Sequence, residues 1–232
     1  MNSVVSEKKF IQERLGIPYE NLSQSYLRAE TVLSNLSTYQ FYLQRGQVAS
    51  PLVTENLLEL NDQFVITHLR VSLRLIGSTT PTATQQLAAQ QYLYADPNAF
   101  GFDPATNNNA NAAAIYGGSL SFTIDRTQFL PAFPVNAFYR VPAAQTNAFI
   151  QAATTSRTGA GVANYWANSG VNGYENGLFG FYVSEPTLID GRQTLDIQLN
   201  LGAGVNMLKT TPAETLYATL ETRGYLVVNS KS

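Results

Sequence analysis

The sequence contains no cysteine, which excludes disulfide frameworks, Cys-ligated zinc and thiol chemistry. Its one histidine, His68, leaves no material for a multi-histidine metal site. Charge is scarce too, at 13% of residues against an average of about 25%. With 14 basic and 16 acidic side chains the formal net charge is −2, which speaks against strong direct nucleic-acid binding through a broad basic face. No apolar run reaches the roughly 18 residues of a membrane-spanning helix. The opening stretch MNSVVSEKKFIQERLG places charges where a signal peptide needs its apolar segment, which predicts synthesis in a cytoplasm.

What the chain does have is apolar bulk: 44% hydrophobic residues, with 13 Tyr and 12 Phe in 232 residues. A chain of this length can bury roughly 70–75% of its unfolded surface, so it needs no covalent or metal staple. Residues 6–15 read as a short amphipathic helix, with Ser6 as cap, Phe10, Ile11 and Leu15 on one face, and Gly16 and Pro18 as stop signals. Leu22, Tyr26, Ala29 and Leu33 then fall at helical spacing and Tyr39, Phe41 and Leu43 at strand spacing, so 22–43 reads as a helix followed by a strand. Residues 1–37 are thus expected to form an N-terminal helical arm, and 38–232 a single β domain.

The clearest strand is 63–76, where Val65, Thr67, Leu69, Val71, Leu73 and Leu75 alternate with His68, Arg70, Ser72 and Arg74. Leu120, Phe122 and Ile124 repeat the pattern, as do Leu195, Ile197, Leu199 and Leu201. Stretches 135–141, 178–183 and 215–228 add further strands, about eight in all, in keeping with an antiparallel β-sandwich. Asp190-Gly191 is the best local turn signal, although Pro186 spoils the stretch before it as a hairpin partner. Long segments rich in small and amide residues, 77–118 and 154–177, separate the strands, the first with a short helix expected over 85–94.

Few residues offer chemistry. A Ser-His-Asp arrangement would have to use His68, which sits on a polar strand face with no G-x-S-x-G signature anywhere in the chain. A glycosidase needs two carboxylates, but no spacing selects a pair among Asp96, Asp103, Asp125, Glu175 and Glu185. Asp96, Asn98 and Gly101 partly echo a calcium loop, but Phe100 stands at a ligand position and Asn107 replaces the bidentate Glu. No catalytic, cofactor-binding or metal residue is therefore assigned. Arg outnumbers Lys ten to four, and Arg is favoured over Lys at protein interfaces. Arg70, Arg74, Arg126 and Arg140, in or beside strands, are open to three readings: interface residues, solvated charge, or a nucleic-acid groove with Phe138 or Tyr139 as stacking partners. The candidate interface residues are Phe10, Ile11, Leu15, Arg70, Arg74, Phe100 and Phe102.

An N-terminal helix, about eight strands, long amide-rich loops, few charges and no catalytic kit together resemble a viral coat subunit. Asn61-Asp62-Gln63-Phe64-Val65-Ile66-Thr67, Tyr116-Gly117-Gly118-Ser119-Leu120 and Asp190-Gly191-Arg192-Gln193-Thr194-Leu195-Asp196-Ile197 resemble stretches of the jelly-roll capsid proteins of icosahedral bacterial viruses. The resemblance implies a single jelly roll, a self-assembling structural virion protein assembled in the host cytoplasm, and no catalytic residues or cofactor. Its partners would be copies of itself and other virion proteins, with an internal viral membrane as a further contact. The chain departs from that family in being short for the two-barrel form and in lacking a basic genome-binding arm. The alternative from another class is a receptor- or glycan-binding β-sandwich module of a virus spike or fibre, with Tyr165 and Trp166 in a sugar site. A carboxylate hydrolase is the third.

Overall fold

Strand pairing begins where the sequence read as helix. In the computed structural model, which describes residues 3–78, 80–93, 114–139, 181–202 and 214–228, β1 (Leu22–Val32) runs antiparallel along all but the first two residues of β9 (Thr215–Val227). The helical spacing of Leu22, Tyr26, Ala29 and Leu33 was coincidental. Leu27 and Ala29 face the core, Arg28 and Glu30 face the other way, and Tyr26 is exposed. Residues 22–32, expected in the arm, therefore form part of the main sheet.

β1-β9-β3 form the first sheet, with β3 spanning Gln63–Ile76. The far side of β3 pairs with β7 (Tyr182–Asp190) and with the two-residue β4 (Gln91–Tyr92). The second sheet is β2 (Thr38–Phe41), β8 (Leu195–Asn200), β5 (Ser119–Ile124) and β6 (Thr127–Pro134). Leaving β4 aside, β1 pairs with β9, β2 with β8, β3 with β7 and β5 with β6. First is matched with last and each inner pair is nested in turn. Rolling that ribbon so that β9 meets β3 and β8 meets β5 makes a single antiparallel jelly roll. The nesting also sorts the connections. Those of 33–37, 77–118, 135–181 and 201–214 leave one end of the sandwich, and those of 42–62, 125–126 and 191–194 leave the other.

The apolar halves of the alternating strands meet between the sheets: Phe41, Leu120, Phe122, Ile197 and Leu199 from one side, Phe64, Ile66, Leu69, Val71 and Leu220 from the other. One detail overturns the expected alternation of β3. Ile66 pairs with Gly224 and His68 with Arg223, so Thr67 is an extra residue, a bulge. Phe64 and Ile66 face the core before it, and Leu69, Val71 and Leu73 face the core after it. Val65 was expected to share a face with Leu69. It instead joins Ile11, Leu22, Tyr225 and Val227 in a small cluster on the outer face. Gly224 is required here, because a Cβ on it would lie 1.8 Å from the Val65 carbonyl oxygen.

Helix α1 (Ser3–Leu15) covers that outer cluster. It starts before Ser6, and Gly16 ends it as expected, in the left-handed conformation (φ 70°) with its N–H donating to Gln12. Phe10 is 51% exposed whereas Ile11 is fully buried, so Phe10, Ile11 and Leu15 do not share one face. The partner of Ile11 is the chain's own sheet. Two further boundaries differ. Residues 135–138 form a 3-10 turn that follows β6, not a strand, and the short helix α2 is Ala83–Ala88, capped reciprocally by Thr82 and Gln85. Pro186 is tolerated because, among the described residues, β7 pairs with β3 alone and so lies at the sheet edge.

Candidate functional site: an arginine-lined cavity on the outer sheet face

The register of the first sheet builds the site. Arg28, Glu221 and Arg70 lie abreast on β1, β9 and β3, with Tyr26, Arg223 and His68 in the next row and Glu30, Thr219 and Ser72 on the other side. Alternating sign across neighbouring strands keeps like charges out of direct opposition. None of these side chains can reach the core, because their neighbours in sequence already fill it.

Two covers close the ends of this face. At one end, α1 lays Glu7 and Ile11 on it: Tyr225 donates its hydroxyl proton to Glu7 (2.8 Å), and Glu7 stands 3.7 Å from His68 Nδ1. Burial pulls the His68 imidazole below its usual value, the Glu7 carboxylate pushes it back up, and Arg223 lowers it again. At the other end, residues 52–56 and α2 cover a buried ion pair between Arg74 and Glu30. Thr54 donates to Glu30 at 2.8 Å and accepts from Arg74 at 3.0 Å. The Glu55 carboxylate accepts from the backbone N–H groups of Glu30 and Leu52 at 2.9 and 2.8 Å. Burial raises the Glu55 carboxyl above its usual range, with those two N–H bonds opposing. Arg74, read from the sequence as an interface residue, is 1% exposed. Its alternation placed it correctly away from the core, but the 52–56 segment and α2 hide it.

Between the covers lies a cavity of about 560 Å³ lined by Gln24, Ser25, Tyr26, Arg28, Arg70, Gln91, Glu221 and Arg223. Arg70 Nη2 donates to Glu221 at 2.5 Å and to Gln91 Oε1 at 3.2 Å, and Arg223 Nε is 3.5 Å from the other Glu221 oxygen. Both guanidiniums lie over Phe181, their Cζ atoms 4.3 and 4.2 Å from its ring centroid. Arg28 donates to Glu30 at 2.9 Å. Burial draws the Arg70 guanidinium below its usual value, and Glu221 opposes that shift. Arg28, Arg70 and Arg223 line the cavity, the first held by Glu30 and the other two sharing the carboxylate of Glu221.

The chain matches no family model and no curated protein. Arg70 is the one residue singled out in the sequence that reaches this cavity. Arg28, Glu221, Arg223 and Phe181 went unnoticed, although Arg28-x-Glu30 and Glu221-x-Arg223 are charges at strand spacing. The other candidates are dispersed. Asp125 sits in the β5–β6 turn and accepts from Thr194 N–H at 2.9 Å, and Glu185 stands at the surface 3.9 Å from Arg14. Asp96, Phe100, Phe102, Asp103, Arg140, Tyr165, Trp166 and Glu175 lie outside the described residues. Among the described residues no group of three or more His, Asp or Glu side chains is placed to hold a metal ion, and no helix is long and apolar enough to cross a membrane. What the cavity offers is fixed positive charge and a surplus of donors, which is equipment for recognition.

Proposed function

We propose that the protein is a non-enzymatic structural virion protein, a self-assembling subunit of an icosahedral shell. The observation that carries this reading is the nested pairing of the jelly roll, which puts at one end of the sandwich the strand ends from which the long segments 77–118, 135–181 and 201–214 depart. Such an arrangement keeps the strands as a common framework and offers the segments that depart from one end to neighbours. The outer face of the second sheet is suited to lateral packing. Thr38 donates to Asn200 at 3.1 Å, Gln40 and Gln198 both donate to Asp196 at 3.0 Å, and Asp196 is the lone charge in that ladder. A surface of hydroxyls and amides can be buried between subunits with its hydrogen bonds exchanged and little charge to desolvate. The partners are copies of the chain and other virion proteins, with assembly in the host cytoplasm.

Light scattering after size exclusion, with negative-stain microscopy of the same fractions, tests this reading. Closed shells or rings of many subunits are the expected result. A protein that stays monomeric at high concentration refutes it, and a dimer or trimer with nothing larger replaces it with a receptor-binding module of a spike or fibre.

A further inference from the structure

The cavity on the outer sheet face lies apart from the apolar core that joins the two sheets. Neither α1 nor residues 52–56 line it, and Glu30 is held by Arg74, Thr54 and Arg28. Facing the cavity are three guanidiniums that already have protein partners, Arg28 on Glu30 and Arg70 and Arg223 on Glu221, together with the amides of Gln24 and Gln91 and the hydroxyls of Ser25 and Tyr26. Two buried N–H donors on these side chains, Arg70 Nε and Gln91 Nε2, meet no protein acceptor among the described residues. A cavity that is cationic and rich in donors selects a group that only accepts.

We propose that this cavity is a recognition site for a carboxylate-bearing ligand. A carboxylate presents two in-plane oxygens to a guanidinium fork, and contact with Phe181 keeps Arg70 and Arg223 side by side at this site. Glu221, in contact with both arginines, sets the charge that is accepted: a monoanion is attracted by the remaining cations, whereas a dianion such as phosphate meets a fixed carboxylate at close range. The amides and hydroxyls around the arginines suit the hydroxyl or amide groups that accompany the carboxylate on an acidic sugar or an acidic side chain. A volume of about 560 Å³ falls among ordinary small-ligand sites. The inference rests on the cavity alone and goes beyond the shell reading.

The test titrates the full chain by calorimetry with five probes: N-acetylneuraminic acid, its methyl ester, a doubly capped tripeptide with a central aspartate, the same tripeptide with asparagine, and inorganic phosphate. At least one acid is expected to bind, with its uncharged counterpart at least about tenfold weaker and phosphate weaker than the acid. Arg223→Gln is expected to weaken that acid at least about tenfold while leaving the urea midpoint in place, since this side chain is 40% exposed. Gln91→Ala is expected to weaken it by a smaller factor. The acid that binds identifies the source, a sugar or a protein chain. Binding of neither acid up to millimolar concentration overturns the proposal, as does equal binding of a neutral counterpart, tighter binding of phosphate, or unchanged binding to Arg223→Gln. Assembly is scored separately on the same sample: shells without ligand binding remove only this inference, and ligand binding by a lasting monomer removes only the shell.

Discussion

Replacing Gly224 with alanine probes the contact on which the two faces of β3 depend. The added Cβ would lie 1.8 Å from the Val65 carbonyl oxygen, 2.9 Å from its carbon and 3.2 Å from the Thr67 nitrogen. All three are backbone atoms of the adjacent strand, so no side-chain rotation can relieve the clash. An ordinary contact needs about 3.5 Å, and β3 or β9 must therefore shift by well over an ångström. β3 is held on both sides, by β9 and by β7, and such a shift breaks ladder hydrogen bonds at the bulge. Overpacking costs about 1–3 kcal/mol, and one or two ladder bonds add about 1 kcal/mol each. The total, about 2–5 kcal/mol, is a large share of the roughly 5–15 kcal/mol that stabilises a domain. Urea unfolding followed by far-ultraviolet circular dichroism measures it, and the melting temperature should fall by on the order of 10 °C. Gly46→Ala is the control, because nothing lies within 4 Å of its added Cβ; it should change stability by less than about 0.5 kcal/mol. If the two variants lose the same small amount, β3 and β9 do not approach as described and the bulge argument fails.

Deleting Thr67 should leave a cooperatively folding protein, destabilised by about 1–3 kcal/mol, because alternation from Phe64 to Arg74 then runs without interruption. Deleting Val71 should abolish cooperative melting by turning Ser72 to Ile76 onto the wrong faces, and equal damage from both deletions would refute the register. Ile197→Ala should cost about 2–5 kcal/mol in the same urea assay, since Ile197 is fully buried between the sheets, and Gln198→Ala, on the half-exposed outer face, well under half of that. Because burial lowers the His68 value from 6.5 in the folded state, the unfolded chain takes up the proton first as pH falls. The stabilising effect of the neutral ring is then present above about pH 6.5 and lost below it. Glu55, raised by burial, titrates in the opposite sense, so the diagnostic is the difference from His68→Gln. That variant should lose stability less steeply between about pH 7.5 and 5.5, and identical slopes would show that His68 is not buried as a neutral ring.

Local pattern was enough for much of this protein. The alternation in 63–76, 120–124 and 195–201 dictated antiparallel strands, because a strand with one apolar face has to cover it with another sheet. Gly16 and Pro18 stopped the first helix for reasons internal to the chain. The scarcity of charge and the absence of cysteine bounded the chemistry. Long-range pairing decided the rest. Leu22–Val32 carries both periods weakly, and only β9 lying alongside it made the strand the better use of Leu27 and Ala29. The bulge at Thr67 depends on Gly224, more than 150 residues away in sequence, and it reverses which of the β3 side chains see the core. Arg74 read as a candidate interface residue, but residues 52–56 and α2 fold over it. The arginine cavity takes Arg28, Arg70, Glu221 and Arg223 from three strands. No window along the chain contains it, since strands adjacent in this sheet are the first, the last and the third of the roll, and charges that meet across them are brought together by register alone.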